Sequence, residues 1–233
     1  MIIQIKKGMN DEIRQVAEIH HAILPKSMMT RLGKKFLTEV YYPVCIEDSR
    51  FHCFASIYEG RVAGFMTLVT KGGSGGLIML LFKRPVALLS ALSHMVFHNP
   101  KACWWSLQII FHLGLGKKEP LHEIPCELVS SGVLPEFRSA EFVKKTGRRL
   151  SRELYLNLVQ FMLDHEIPRL KGFTLKQDIL TNANVKHLGF KPQFTGRIPG
   201  RNPVNELIAY VWEMEEAAKK FGLSPSKSQT QHG

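Results

Sequence analysis

The alternation of apolar and polar residues predicts a chain that begins with one strand and two amphipathic helices. Ile2 to Ile5 alternates with a period of two, as a half-buried strand does. From Asn10 onward the apolar residues recur every three to four positions, which predicts a helix capped by that asparagine. A second helix is predicted from about Thr30, and its apolar side would carry Leu32, Phe36, Leu37, Val40, Tyr41 and Val44.

Two runs rich in β-branched and aromatic residues come next. Phe51 to Tyr58 and Val62 to Val69 are both apolar, and the Glu59-Gly60 pair between them is typical of a tight hairpin turn. The glycine-rich stretch from Lys71 to Gly76 is predicted to end this hairpin as a flexible joint.

The segment 77–122 departs from this pattern because its central part is almost free of charge. Within 85–116 the only charged residue is Lys101. A central Asn-Pro step divides that stretch into two arms, each too short to span a membrane, so an inserted helical hairpin is predicted. Two interpretations stay open. The arms either form a buried pair of core helices, or they form an interfacial hairpin that contacts a membrane surface through Trp104 and Trp105.

A strand, a polar turn and a long helix are predicted after this insertion. The run Glu127-Leu-Val-Ser-Ser-Gly-Val133-Leu-Pro-Glu-Phe-Arg138 changes from apolar to polar, and a helix follows from about Thr146 to His165. Backbone N–H groups in a turn that leads into a helix N-terminus form an anion site suited to a pyrophosphate. A strand from Gly172 to Leu175, a short helix around Asn182 and a strand from Leu207 to Trp212 complete the pattern.

Two of these segments resemble motifs of the GNAT acetyltransferase superfamily. The strand end Val133-Leu-Pro-Glu-Phe-Arg138 matches its "V-x-P-E-x-R", and Lys186-His-Leu-Gly-Phe190 matches its later "x-x-L-G-F". The resemblance implies an α/β (α+β) fold, the GNAT acyl-CoA N-acyltransferase fold, with a mixed central sheet flanked by helices. It covers one domain at 1–215 apart from the insertion 77–122. The remaining residues, 216–233, are predicted to be a helix end and a disordered polar tail.

The resemblance implies acetyl-coenzyme A as the cofactor. The strand that ends at Val133 would pair with the pantetheine arm through its backbone, and the pyrophosphate would lie on a loop of the pattern R/Q-x-x-G-x-G/A. The best match to this loop begins at Lys144, displaced from the strand end by Ser139–Val143, and Arg149 replaces its second small residue. A solvated basic helix start is the alternative interpretation. The implied cofactor contacts are Val133, Arg138, Lys144, Lys145, Thr146, Gly147, Arg148, Arg149 and Asn182.

The same resemblance implies how acetyl transfer to an amine would proceed. An alkyl ammonium must lose its proton before it attacks a thioester, so a carboxylate or histidine commonly serves as general base. Glu127 is our candidate base, because it lies on the signature strand and, counted along a regular pleat, on the same face as Val133. His122 and Glu123 are alternatives, and Glu127 could instead pair with a basic residue. The tyrosine that usually protonates the leaving thiolate is replaced by Val185.

The acceptor side is implied by a second match, "P-x-S-x-x-x-x-L-G-x-x-F-L", from Pro25 to Leu37. In the superfamily this loop and helix line the acceptor, so Ser27, Met28 and Met29 are candidate substrate contacts. A simple loop at a helix start explains the same residues. The expected acceptor is the primary amine of a small metabolite, with an amino sugar as the first candidate.

Charge and cysteine content narrow the choice of partners. The chain carries a formal net charge of +11, but without a helix-turn-helix, zinc or RNP-like pattern, so we expect no nucleic acid. Its four cysteines lack metal-ligand spacing, and His20 and His21 point in different directions on a helix. We therefore predict no metal, and buried thiols in the cytoplasm. No secretory signal pattern opens the sequence.

An alternative function is a non-catalytic or weakly catalytic acyl-CoA-binding protein of the same fold at a membrane surface. Val185 and the altered loop favour that alternative, whereas Glu127 and Arg138 favour the enzyme. The sequence does not indicate an oligomeric state.

Overall fold

The computed structural model describes residues 1–73, 120–198 and 202–225, with a few further positions between 76 and 104. In these ranges seven strands form one sheet in the order β1-β2-β3-β4-β5-β7-β6. β4 and β5 run parallel, and every other neighbouring pair is antiparallel. The strands are β1 Ile2–Ile5, β2 Phe51–Tyr58, β3 Arg61–Val69, β4 Glu127–Val133, β5 Arg169–Leu175, β6 Lys191–Ile198 and β7 Asn202–Glu213.

Helices cover both faces of this sheet. They are α1 Asn10–Ile23, α2 Met28–Arg31, α3 Lys34–Phe36, a π-helical turn Leu37–Tyr41, α4 Tyr42–Ile46, a 3-10 turn Pro135–Arg138, α5 Ala140–Thr146, α6 Leu150–Asp164, α7 Ile179–Leu188 and α8 Met214–Phe221. This arrangement confirms the predicted mixed sheet flanked by helices.

Each face of the sheet has its own hydrophobic core. The first core lies under α1 to α4 and includes Val16, Leu37 and Phe65, which are fully buried. The second core lies under α6 and α8 and includes Leu158, Met162 and Trp212. Because alternate residues of a strand face opposite sides, β3 contributes to both cores at once.

Several predicted boundaries are wrong for local reasons. The helix predicted from Thr30 is divided, because Gly33 has a φ of 99° and Pro43 has no N–H to bond the carbonyl of Glu39. The helix predicted from Thr146 starts at Leu150, since Gly147, with a φ of 68°, ends the separate helix α5. Asn10 is the first residue of α1, and its side chain makes no cap bond.

The two halves of the sheet meet at β4 and β5 and then separate. Their parallel register holds for Glu127 opposite Lys171 and Leu128 opposite Gly172. Beyond these pairs β4 stays with β3, and β5 stays with β7 along the whole of Arg169–Leu175. The backbone groups of β4 that face β5 after Leu128 therefore lack a neighbouring strand.

A β-bulge lies at the point where the strands separate. Thr67 of β3 pairs with Ser130 and Leu68 pairs with Leu128, so Val129 has no opposite residue. One extra residue changes which side the following residues face. Val129 packs on the first core, and Ser130 also faces that side.

The predicted hairpin at 85–116 lies largely outside the described residues. Of the positions described near it, Leu77, Leu80 and Leu88 are buried in the first core, and Trp104 is exposed. The tail 226–233 also lies outside the described residues. Among the helices that the structure describes, none combines the length and the apolar character needed to cross a membrane.

Gly64 in β3 provides a test of the packing between β3 and β4. A Cβ at this position would lie 2.7 Å from Cγ2 of Val133 and 2.9 Å from the carbonyl oxygen of Gly132. We expect Gly64→Ala to lower the free energy of unfolding by about 1–3 kcal/mol through overpacking. Urea denaturation measures this loss.

Gly172→Ala is the matched control, because a Cβ there would meet nothing closer than 3.7 Å. Equal losses in the two variants would contradict the close approach of β3 and β4 at Gly64.

Candidate active site

The gap between β4 and β5 opens into a cavity of about 700 Å³. Its floor is formed by Leu128–Ser131 of β4 and Gly172–Leu175 of β5. Because the two strands are no longer paired there, the cavity passes through the sheet from one core to the other. One side, the α1 wall, consists of His20, Ile23, Leu24, Pro25, Lys26, Ser27, Met29, Tyr41 and Leu77. The opposite side, the α7 wall, consists of Tyr155, Thr181, Val185, Phe190, Leu207 and Tyr210.

The α1 wall is built where the amphipathic helix α1 ends above the bulge. The apolar side of α1 packs on the first core, and its last turn brings His20 and Ile23 to the edge of the cavity. Ser27 and Met29 line the cavity from the segment that follows. These two predicted substrate contacts therefore lie at the cavity. The main chain of Met28 begins α2 between them.

His20 links three elements of this wall through its imidazole. Its Nδ1 lies 2.7 Å from the Tyr42 hydroxyl, and its Nε2 lies 3.2 Å from the Ser27 hydroxyl. The Tyr42 hydroxyl also interacts with Ser130 of β4, whose Oγ lies 2.7 Å from Oγ1 of Thr67. A chain of hydrogen bonds thus joins the loop, α1, α4 and β4.

The protonation state of His20 follows from its surroundings. Only 2% of the residue is exposed, and its ring stacks on Phe65 with a centroid distance of 5.7 Å. Burial, with a smaller contribution from His21, lowers the pKa of His20 from 6.5 to about 4. The imidazole is therefore neutral at physiological pH, with one nitrogen donating and the other accepting.

The π-helical turn explains how Tyr41 and Tyr42 can both point inward. An α-helix turns successive side chains apart by 100°, whereas both of these tyrosines are buried, at 3% and 0% exposure. π-helical turns often occur at functional sites. Here Tyr41 reaches the cavity while Tyr42 reaches His20.

Glu127 lies beside the cavity rather than on its lining. Only 1% of the residue is exposed, and the missing Cβ of Gly73 would lie 2.8 Å from its Oε2. Lys171, opposite in the β4–β5 register, is equally buried and donates from Nζ to the Leu121 carbonyl at 3.0 Å. The carboxylate is near enough to Tyr41 to contribute to that tyrosine's raised pKa, after burial and two cysteines.

The expectation that Glu127 and Val133 share a face of β4 is wrong. The bulge at Val129 reverses the alternation between them. Val133 packs in the second core, whereas Glu127 points towards Tyr41 and the first core. The alternative bases His122 and Glu123 interact at 3.6 Å, both about half exposed at 52%, and neither lines the cavity.

Comparison with known proteins identifies structures of similar fold, but their sequence identities to this chain are low. No protein-family model matches the chain, and no curated protein matches it. Among solved structures, an agmatine N-acetyltransferase aligns with a TM-score of 0.56 at 13% identity, covering 91% of this chain and 98% of its own. An aminoglycoside 6'-acetyltransferase type Ii aligns with a TM-score of 0.55 at 10% identity, covering 92% and 97%.

A third solved structure is also similar in fold at low sequence identity. It is a protein from Desulfovibrio desulfuricans described as a GNAT-family acetyltransferase, with a TM-score of 0.53 at 11% identity, covering 92% of this chain and 99% of its own. This chain has the GNAT acetyltransferase fold. The cavity of this chain lies where its strands β4 and β5 separate.

In this GNAT fold the α7 wall supplies two tyrosines of the cavity, Tyr155 and Tyr210. Val185, at the position where the superfamily motif has its tyrosine, lines the cavity and is buried. Tyr155 of α6 also lines it, and burial raises the pKa of Tyr155, against a smaller lowering effect of its hydrogen bond with Ser131. The Tyr210 hydroxyl donates to Oδ1 of Asn182 at 3.1 Å. Sequence spacing alone pointed to neither tyrosine.

The side chain of Asn182 holds the end of β5. Its Nδ2 donates to the carbonyls of Leu175 and Lys176 at 2.9 and 3.2 Å, and its Oδ1 also accepts from Thr174. The residue is 7% exposed and does not line the cavity. Its predicted contact with the cofactor therefore stays a prediction, while its contacts in the structure shape the cavity rim.

The predicted cofactor loop forms the junction between α5 and α6. Lys144 and Lys145 are exposed in the last turn of α5, and Arg149 is exposed at the N-cap position of α6. Arg148 instead pairs with Glu153, with Nε–Oε1 and Nη2–Oε2 distances of 3.0 and 2.5 Å. The Thr146 hydroxyl donates to the Phe142 carbonyl at 2.8 Å and accepts from the N–H of Arg148 at 3.2 Å.

The end of β4 leads into a turn, as the motif from Val133 to Arg138 predicts. Val133 closes β4 opposite Gly64, and Arg138 is exposed at the end of the 3-10 turn. Ser139 then caps α5, its Oγ accepting from the N–H of Phe142 at 3.1 Å. The basic residues at 138 and 144–149 therefore lie on one connection between β4 and α6.

The buried neutral His20 predicts a pH dependence of stability. Between pH 6.5 and about 4 the unfolded chain binds a proton that the folded chain does not, so the free energy of unfolding falls as pH falls. From pH 7 to pH 5 we expect His20 to account for a loss of about 2 kcal/mol. His20→Gln should remove this part of the acid loss, as measured by urea denaturation at both pH values.

His21→Gln is the control for this measurement and should retain the acid loss. An acid loss in His20→Gln as large as in the wild type would show that the imidazole is not held neutral in the core.

Proposed function

We propose that this protein is an N-acetyltransferase that moves the acetyl group of acetyl-coenzyme A to the primary amine of a small molecule. The observation that supports this most is the separation of β4 from β5 after Leu128 and Gly172. It leaves backbone donors and acceptors of β4 exposed beside a cavity of about 700 Å³. An extended pantetheine arm can add to such a strand edge as a further strand would.

The phosphates of the cofactor would lie on the connection between β4 and α6. The first N–H groups of α6 have no partner within the helix and point towards its N-terminus, where the helix dipole also favours anions. Lys144, Lys145 and Arg149 add positive charge at this end. Arg148 has a more indirect role, since its guanidinium is held by Glu153.

The chemistry requires one proton to leave the amine and one to reach the sulfur. The amine nitrogen forms a bond with the acetyl carbonyl carbon, the C–S bond breaks, and coenzyme A leaves as a thiolate. Glu127 remains our candidate general base, and Tyr41, which lines the cavity, is near enough to this carboxylate for the two groups to interact. Tyr155 is our candidate proton donor to the thiolate, because it lines the cavity and its side chain hydrogen-bonds Ser131 of β4.

We assign the two substrates to the two sides of the cavity, because its lining comes from both cores. The α7 wall and the α6 N-terminus suit coenzyme A, and the α1 wall suits the amine, as predicted for Ser27, Met28 and Met29. An amino sugar stays one of the acceptor classes to be tried. The described cysteines, Cys45, Cys53 and Cys126, are free thiols, which supports the predicted cytoplasmic location.

Non-catalytic binding of acyl-CoA is the second candidate, supported by Val185 in the position of the usual tyrosine. Coenzyme A binding is common to both candidates, whereas release of free coenzyme A thiol with a panel of amines is expected only of the enzyme. Thiol release over the background hydrolysis therefore distinguishes the two.

Coenzyme A should raise the melting temperature, because a ligand that binds only the folded state stabilises it by mass action. Lys145→Glu with Arg149→Glu should reduce this shift, and high salt should reduce it in the wild type. Differential scanning fluorimetry measures both effects.

Lys219→Glu with Lys220→Glu is the matched control. It makes the same change in charge on α8, which packs near the other end of α6, where Gln160 bonds Ser224 at 3.1 Å. The absence of any shift with coenzyme A or acetyl-coenzyme A would contradict both candidate functions.

Glu127→Gln should lower kcat/KM by about 10² or more, in the range typical of the loss of a general base. Coenzyme A affinity should stay nearly unchanged, because the strand contacts to the cofactor are made by the backbone. Part of the activity should return at high pH, where more of the amine is already neutral. Thiol release measured against pH checks these three outcomes together.

Lys171→Met separates catalysis from structure, since it removes the buried neighbour of Glu127. A purely structural carboxylate would make both variants less stable while neither lost kcat/KM. Tyr155→Phe completes the set, and we expect it to lower kcat without changing the thermal shift produced by coenzyme A.

A further inference from the structure

The α1 wall is apolar and aromatic, with few polar groups. Ile23, Leu24, Met29 and Leu77 present aliphatic or thioether side chains to the cavity, and all four belong to or pack on the first core. Among the polar groups on this wall, the Ser27 hydroxyl and Nε2 of the neutral His20 lie 3.2 Å apart, and the exposed Lys26 is itself a cation. An occupant of this end of the cavity would therefore bury an apolar surface.

Carboxylates are sparse around the cavity. Asp178 is the one acidic residue among those that line it in the described structure. Both of its oxygens are used at the start of α7, where they accept from the N–H and hydroxyl of Thr181 at 3.0 and 2.7 Å. It lies on the connection between β5 and α7, away from the α1 wall.

The nearby acidic residues on the α1 side are paired with lysines. Glu18 of α1 lies 2.9 Å from Lys34, and Glu39 of the π-helical turn lies 3.9 Å from Lys35. The sequence from Gly60 to Lys118 contains neither Asp nor Glu, so this stretch, which includes the insertion up to Lys118, can supply no carboxylate to the site. Glu127, which interacts with Tyr41, is then the carboxylate that we assign to the single amine.

We propose that the acceptor is a primary monoamine with an uncharged apolar body, aromatic or aliphatic, rather than a polyamine or another compound with a second cation. A second ammonium or guanidinium in the cavity would lose its hydration without gaining a counter-ion, which is costly. This inference rests on the proposed acetyl transfer. It sets the protein apart from the agmatine N-acetyltransferase of the same fold, whose named substrate carries a guanidinium besides its amine.

The amine group of such a monoamine would react by the mechanism proposed above, with no further catalytic group. Its nitrogen loses a proton towards Glu127 and bonds to the acetyl carbon, and the thiolate of coenzyme A takes a proton on leaving. The apolar body lies along the α1 wall and excludes water from the reacting atoms. The second cation of a diamine would have to occupy that same place.

Matched acceptors test the proposal. We expect kcat/KM for phenethylamine and hexylamine to exceed that for agmatine, spermidine and glucosamine by on the order of 10²-fold, measured by thiol release with acetyl-coenzyme A. Turnover of agmatine or spermidine as efficient as that of phenethylamine would overturn the proposal while leaving acetyl transfer intact.

A substitution in the wall gives a second, independent test. Leu24 is half-buried at the cavity edge, so Leu24→Glu adds a carboxylate without burying it fully. It should shift the ratio of kcat/KM values towards agmatine over phenethylamine by roughly 10-fold, in line with a charge-assisted contact. Leu24→Gln keeps the shape without the charge and should leave the ratio as in the wild type. An unchanged ratio in a folded Leu24→Glu variant would contradict the placement of the acceptor body.

Direct binding separates this proposal from the proposed function. Calorimetric titration of the complex with coenzyme A should show phenethylamine binding more tightly than agmatine. That result without turnover of any amine would support the acceptor site and overturn acetyl transfer. Equal affinity, or no binding of either amine, would overturn the acceptor class.

Discussion

The site depends on one constraint, the end of strand pairing between β4 and β5. Each strand is committed to a different neighbour, β4 to β3 and β5 to β7, and the parallel contact between them lasts only from Glu127 to Leu128. Backbone groups inside a protein need partners. A sheet that separates at its centre is therefore stable only if something else satisfies that edge, and an extended amide-containing ligand has the right chemistry to do so.

The bulge at Val129 makes this opening useful on both sides. By adding one residue it directs Val129 and Ser130 to the first core, and it leaves Ser131 towards Tyr155 in the second. Ser130 then joins Tyr42 and His20 through side-chain interactions, so the position of the α1 wall is tied to the strand at its point of divergence. A regular strand would have sent Ser130 to the other face and broken this link.

The sequence predicted the sheet and the order of its main elements because those depend on local periodicity and on two motifs. The hairpin at Glu59-Gly60 has local turn chemistry and is confirmed. β6 was missed, since Lys191–Ile198 is an exposed edge strand with a proline and a glycine and almost no apolar alternation. α5 was missed because the motif was assumed to lead directly into the long helix.

The candidate site was predicted less completely because its residues come from distant parts of the chain. Ser27 and Met29 were found through a local motif, whereas His20 was considered only as a metal ligand and set aside. Its partner Tyr42 lies 22 positions away, and Phe65 belongs to another strand. The bulge that separates Glu127 from Val133 leaves no trace in the apolar pattern of β4, so counting along the strand placed the two residues on one face.

Gly73 shows how a long-range contact can give a residue a role that its local sequence does not indicate. In the sequence it belongs to a glycine-rich stretch that predicts a flexible joint, yet in the structure it is buried against the carboxylate of Glu127. The Cβ of any other residue at this position would lie only 2.8 Å from Oε2 of Glu127. Glycine therefore lets the backbone pass close to the buried carboxylate. Burying a carboxylate is costly without a paired charge, and Lys171 occupies the opposite position of the register. Glu127, Lys171 and Gly73 thus form a closed, buried cluster beside the cavity, and Tyr41, which lines the cavity, interacts with the carboxylate of this cluster.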